Sequence, residues 1–170
     1  MSNFIVIDFE TANANRNSAC ALGLVKVSDG KIVHEECHFI RPPSPFFRFT
    51  NIHGITWADV AEAPDFGKVW EDIEGQFDEV DFVAAHNASF DRGVLNACWD
   101  TYGKINPALS YLCTVRLARN LWGLHPTRLP DVCNFLGIKL DHHRADSDAR
   151  ACAQIVMAAE EDGWCHDQAG

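Results

Sequence analysis

Phe4-Ile5-Val6-Ile7-Asp8-Phe9-Glu10-Thr11 sets two acids, two residues apart, at the end of an otherwise apolar run. In a strand the side chains alternate, so Phe4, Val6, Asp8 and Glu10 share one face while Ile5, Ile7 and Phe9 share the other. Both faces begin apolar, which suits a strand covered on both sides in an α/β sheet. Charge there is costly unless it is paired or bound to metal. Two carboxylates on one face cannot neutralise each other, but a hard divalent cation could hold both. The carboxyl end of such a strand is also where open α/β sheets put their ligands. A solvated strand end would explain the same two acids, so the rest of the chain has to decide.

The 170 residues, 47% hydrophobic and rich in Phe and Trp, suffice for a sizeable core and are most simply one domain, residues 1–170. Met1-Ser2-Asn3 leads directly into the first strand, with no basic n-region and no apolar run near 20 residues, so a cytoplasmic protein is expected. The seven cysteines are scattered and lack a Cys-x-x-Cys pair, which reads as reduced core thiols rather than a disulfide frame or zinc site. A net charge of −10 argues against a protein that coats nucleic acid by general attraction. It does not exclude a nuclease, because bound divalent cations reverse the sign within a cleft.

Beyond the first strand, residues 21–27 and 31–40 read as two more strands joined by Ser28-Asp29-Gly30, giving an antiparallel meander. The proline-dense segment from Arg41 predicts a rigid loop leading into Asn51-Ile52-His53-Gly54-Ile55-Thr56. Thr56 can cap a short helix through Glu62, and Phe66, Val69, Trp70, Ile73 and Phe77 carry the spacing of a core-facing helix of about three turns. A fourth strand at 81–86, a helix at 88–102 and a fifth strand at 109–114 follow. Helices at 115–122, 129–136 and 145–160 complete the chain. Strands in a meander, then strands alternating with helices, predict an α/β fold. Its mixed five-stranded sheet has strands 1–3 antiparallel, strands 4 and 5 parallel, and helices on both faces.

Two helices tie back to the opening strand. Asp91 heads the stripe Val94, Leu95, Cys98 and Tyr102, and Asp148 heads Ala151, Cys152, Ile155 and Ala159. Each aspartate therefore shares the azimuth of core-facing side chains, although an acid in a first helical turn needs no function. Four carboxylates converging at ~5 Å would repel by about 3 kcal/mol per pair at an effective dielectric near 20, which calls for cations or raised pKa values. His143, five residues before Asp148, lies where a loop leaves its imidazole free.

Asp8-Phe9-Glu10-Thr11, His86-Asn87-Ala88-Ser89-Phe90-Asp91 and His143-Arg144-Ala145-Asp146-Ser147-Asp148 resemble, in order and separation, the three motifs of the DnaQ-like, DEDDh-type 3′-to-5′ exonucleases. Asn51 to Thr56 is similar to the loop that this family uses near the 3′-terminal nucleotide, and Cys113 to Arg119 also looks familial. The resemblance covers nearly the whole chain and implies a ribonuclease H-like sheet. Where many members continue Thr-Thr-Gly after the first glutamate, this chain has Thr11-Ala12-Asn13-Ala14-Asn15-Arg16, a departure that bears on the terminal-nucleotide pocket.

The resemblance implies two Mg²⁺ or Mn²⁺ ions held by Asp8, Glu10 and Asp148, with Asp91 helping through water and His143 taking the proton of the attacking water. Phe9, Thr11, His53, Ile55, Asn87 and Phe90 are the expected substrate contacts, with Arg92, Arg116, Arg119 and Arg144 as candidates for phosphate. The implied partner is nucleic acid with a free 3′ end, single-stranded DNA favoured, with a DNA polymerase as an associate the family allows. The alternatives are an exoribonuclease, or a non-catalytic nucleic-acid-binding module that accompanies a polymerase. Retention of all four acids argues against the latter. With no long extension after the last helix, a stand-alone enzyme is expected.

Overall fold

The computed structural model describes residues 1–166. Its sheet has the order β3-β2-β1-β4-β5, formed by β1 (Phe4–Thr11), β2 (Ala19–Ser28), β3 (Lys31–Phe39), β4 (Phe82–Ala85) and β5 (Tyr111–Cys113). β1 pairs antiparallel with β2 and parallel with β4, so it occupies the centre and is covered on both faces. The β2–β3 hairpin turns through Asp29 and Gly30, both at positive φ (50° and 68°). Two left-handed positions in succession match the right-handed twist of the flanking strands, which is why an Asp-Gly pair serves there.

Alternation along β1 divides the core in two. Ile5, Ile7 and Phe9 pack with Leu22 and Leu24 against Phe66, Val69, Trp70, Ile73, Val94, Leu95 and Trp99. Those partners come from α3 (Phe66–Ile73) and α4 (Ala88–Tyr102). The aromatic centre of this layer is Trp70, edge-on to Trp99 at 5.0 Å and tilted against Phe77 at 5.0 Å. Phe4 and Val6 face the other way, toward Ala149, Cys152, Ala153 and Val156 of α7 (Ala145–Glu161) and Leu117 of α5 (Thr114–Trp122). The small residues of α7 let its axis lie close on the sheet. A third cluster joins α6 (Leu129–Leu136) to α7 through Leu129, Val132, Ala151 and Ile155.

Four features differ from the sequence reading. The loop expected across residues 51–56 contains a helical turn, α1 (Thr50–His53), and the helix capped by Thr56 is a single turn, α2 (Trp57–Val60). Thr56 and Asp59 form a reciprocal capping box at its start. The helix after Pro64 stops at Ile73 and tightens into a 3-10 turn over Glu74–Phe77, which still delivers Phe77 to the core. Of the seven free thiols, Cys20, Cys98, Cys133 and Cys152 are buried as expected and Cys113 is half-buried. Cys37 and Cys165 are exposed, since β3 is an edge strand and Cys165 follows the last helix. Among the described residues, no helix is long and apolar enough to cross a membrane.

Candidate metal centre and nuclease site

The carboxyl end of β1 delivers Asp8 and Glu10 to the face covered by α7. Asp8 stands opposite Gly23 of β2, and α7 begins directly over that glycine. One turn into α7, Asp148 is 4% exposed, and a carboxylate oxygen from each of Asp8, Glu10 and Asp148 lies within 4.8 Å of the others. Asp91 arrives from the opposite layer. Asn87 takes the left-handed conformation (φ 71°) and starts α4 abruptly. Asp91, 2% exposed, then accepts the Phe9 amide at 3.0 Å on Oδ1. The structure thus gathers three of the four expected acids into one ligand-sized group and sets Asp91 beside it, tied to the β1 backbone.

Burial dominates the electrostatics. It pushes Asp8 well above the ordinary carboxylate range, reinforced by the negative charges of Asp91, Asp148 and Glu10. Glu10 is raised to about 7 by burial and then by Asp148 and Asp91. Asp91 is also raised to about 7 by burial, against the pull of the Phe9 amide and the Arg16 charge. Asp148 is raised by burial and held back chiefly by His142. Among the described residues, no lysine or arginine forms an ion pair with any of the four acids. Asp148 Oδ1 is buried without a hydrogen-bond partner. A set of hard oxygen donors, short of counter-charge and holding an orphaned buried oxygen, fits a divalent cation.

His143 is exposed on the loop before α7, in the left-handed region at φ 68°. Its amide donates to Asp148 Oδ2 at 3.1 Å, which pins this otherwise costly conformation. Its ring stacks on His142 at 3.8 Å and makes no hydrogen bond among the described residues. The sequence reading passed over His142, whose Nδ1 lies 3.0 Å from Asp148 Oδ2. Adjacency to His143 was the one signal available.

The expected substrate contacts divide by exposure. Phe9 packs into the core against Phe66, which leaves only its backbone for any ligand. Thr11 is buried, and its carbonyl lies 3.1 Å from His53 Nε2. His53 Nδ1 accepts the Ile55 amide at 3.1 Å, so Nε2 carries the proton and donates to Thr11. His53 is therefore a strut between β1 and its loop. Burial lowers its pKa. Ile55 remains half-buried on the wall of a cavity of about 430 Å³, shared with Ala21, Phe39, His53, His143 and Arg144. Phe39 on this wall had no sequence signal beyond apolarity. Asn87 is exposed, and Phe90 is half-buried beneath the Arg16 guanidinium, 4.9 Å from its ring centroid.

Of the arginines considered for phosphate, Arg144 is paired with Asp141 and Asp146. Arg119 donates to Thr127, Arg92 lies over Tyr111, and Arg116 is exposed on α5.

The family model described as RNase T, exonuclease, matches residues 5–156. Exodeoxyribonuclease 10 of Escherichia coli K12 is 34% identical over 96% of this chain and 71% of its own length. A PolC-type DNA polymerase III of Thermotoga petrophila is 31% identical over 92% of this chain, which spans only 12% of that polymerase. Among solved structures, exonuclease X in complex with 5′ overhanging duplex DNA superposes with a TM-score of 0.77 at 29% identity. That match covers 97% of this chain and 96% of the other. The nuclease domain of 3′hExo, a DEDDh family member bound to rAMP, shares the fold, with a TM-score of 0.81 at 17% identity over 95% and 93% of the two chains.

Proposed function

This chain belongs to the DEDDh exonuclease family, and on that footing we propose that it hydrolyses DNA from the 3′ end, releasing 5′-nucleoside monophosphates with two Mg²⁺ or Mn²⁺ ions. The observation that carries the reading is the Asp8, Glu10 and Asp148 group. One carboxylate oxygen from each lies within 4.8 Å of the others, and Asp148 Oδ1 is buried without a partner. Asp8, Glu10 and Asp148 would hold the metal, and Asp91 would reach it through water. When bound, such ions lower the pKa of the attacking water and offset charge on the phosphate and the leaving 3′-oxygen.

The chain's own residues do the rest. Asp91 anchors the Phe9 amide and so fixes the end of β1, keeping Asp8 and Glu10 in place. His143 takes the water's proton on a ring nitrogen left free of hydrogen bonds. His53 holds the Ile55 loop against Thr11, and the adjoining cavity, with Ile55 and Phe39 on its walls, receives the terminal nucleotide. Asn87 and Phe90, at the start of α4, line the path of the strand. An apolar and aromatic lining holds any base, because every base offers a π-face. Similarity to a relative named for exodeoxyribonuclease activity supports DNA as the substrate.

The test is purified protein with 3′- and 5′-labelled single-stranded DNA, duplex DNA and RNA, in Mg²⁺, Mn²⁺ or chelator. Metal-dependent release of mononucleotides from DNA 3′ ends is expected. Activity that survives chelator would end the two-metal proposal. Trimming from 5′ ends would overturn the polarity, and faster turnover of RNA would replace DNA as the substrate.

A further inference from the structure

The segment Thr11-Ala12-Asn13-Ala14-Asn15-Arg16 folds into a closed bracket. Ala12 N–H donates to the Ser18 carbonyl at 2.8 Å. The Asn13 amide donates to Ser18 Oγ at 3.1 Å, and the single Ser18 hydroxyl proton is shared between the Asn15 carbonyl at 2.7 Å and the Asn13 carbonyl at 3.0 Å. Asn13 Oδ1 accepts the Asn15 amide at 2.9 Å, while its Nδ2 donates to the Phe46 carbonyl at 2.8 Å. The Ala12 carbonyl accepts the amides of Arg48 and Phe49. Asn13 and Ser18 are accordingly buried, and the bracket is fastened both to itself and to the connector after β3.

This bracket carries Arg16 over the first turn of α4. The guanidinium lies 4.9 Å above the Phe90 ring, and Nη1 donates to the Phe90 carbonyl at 2.9 Å. Gly93, one turn along α4, leaves the room: a Cβ there would come within 3.2 Å of Arg16 Nη1. Arg16 is exposed and forms no ion pair among the described residues, whereas Arg144, on the α7 side, is engaged by Asp141 and Asp146. One N–H is used, and the rest of the fork is open to solvent beside the helix that carries Asp91.

We propose that Arg16 is a substrate-positioning residue that grips a backbone phosphate of the bound strand, upstream of the scissile bond, from its seat on Phe90. The inference rests on the exonuclease reading above. A chain of net charge −10 with a cluster of acids at its cleft needs a local cation to hold a polyanion beyond the metal centre. A guanidinium suits phosphate through paired N–H donors. Seated on an aromatic ring and bonded to a carbonyl, it also loses little freedom on binding. The hydrogen-bonded bracket from Ala12 to Ser18 is the means of holding it there.

The experiment compares the full chain with Arg16→Ala and Arg16→Lys on single-stranded oligonucleotides across a salt series, together with thermal melting. Loss of one phosphate contact should raise KM about 5- to 10-fold, with kcat changed less than about twofold, as expected for uniform binding. The slope of log KM against log salt should fall by about 0.7 in Arg16→Ala. Arg16→Lys should keep the slope but recover only part of the affinity. A neutral methylphosphonate walked along the strand should weaken wild type at one linkage and leave Arg16→Ala indifferent to it. A lowered melting temperature with an unchanged salt slope would overturn the proposal and make Arg16 a brace for α4. If wild type degrades DNA and Arg16→Ala matches it in KM and slope, this inference alone fails. If wild type degrades no nucleic acid, the exonuclease reading fails with it.

Discussion

Gly23 stands directly opposite Asp8 in the β1–β2 ladder, and a Cβ at Gly23 would land on the carbonyl of Ala145, the first residue of α7. Cross-strand partners share a face of the sheet. The missing side chain therefore lets the N-terminus of α7 descend onto the strand pair just where Asp8 projects. One turn further on, Asp148 comes within ligand distance of Asp8 and Glu10.

Gly23→Ala should consequently damage stability and activity together. Forcing a methyl group against helix backbone costs about 3 kcal/mol, since only a shift of α7 relieves it. Chemical denaturation should report that loss, and turnover should fall at least about tenfold as Asp148 withdraws. A fully stable, fully active Gly23→Ala protein would contradict this account of how α7 docks.

Without metal, the protein should lose stability as pH rises. Glu10 and Asp91 each titrate near 7 in the fold, above the ~4 of an unfolded carboxyl group. Their contribution is fully present below about pH 4 and is lost as pH rises through 7, because ionisation is easier in the unfolded chain. Melting in chelator should therefore occur at lower temperature at pH 8 than at pH 5. Asp91→Asn should flatten the difference, and Mn²⁺ should raise the melting temperature most at pH 8. An identical response at both pH values would mean that the cluster is not strained when empty.

The two adjacent histidines should separate cleanly. His143→Ala removes the proposed proton acceptor and should lower turnover by about 10²- to 10⁴-fold, with the Mn²⁺-induced rise in melting temperature retained. His142→Ala removes the Asp148 partner and should tighten metal binding, leaving turnover at saturating Mn²⁺ within about threefold. Titration calorimetry with Mn²⁺ beside steady-state rates distinguishes the two. The reverse pattern would exchange their roles.

His53 should behave as a strut. Its ring joins the Thr11 carbonyl to the Ile55 amide, so His53→Ala should cost about 1–2 kcal/mol for two lost hydrogen bonds. Release of the Ile55 loop should raise KM more than it lowers kcat. Because burial favours the neutral ring, the pH profile of kcat should keep its shape in His53→Ala. A changed profile would show that His53 takes part in proton transfer.

Much of this was legible in the chain. The β1 alternation, the Asp29-Gly30 turn and the stripes behind Asp91 and Asp148 follow from local periodicity, and each appears where the spacing places it. The errors fall where tertiary contacts outweigh local preference. A helical turn survives at Thr50–His53 because Phe49 is held by the Ala12 carbonyl. The helix from Phe66 tightens at Gly75 while Phe77 still reaches Trp70.

For the site itself, the residue pattern alone tells which acids face inward, since a side chain's azimuth is fixed by strand and helix geometry. It could not determine how closely those acids meet. That depends on the approach of α7 over Gly23 and on the Phe9 amide that holds Asp91. Each is a contact between segments distant along the chain, and only packing sets its distance.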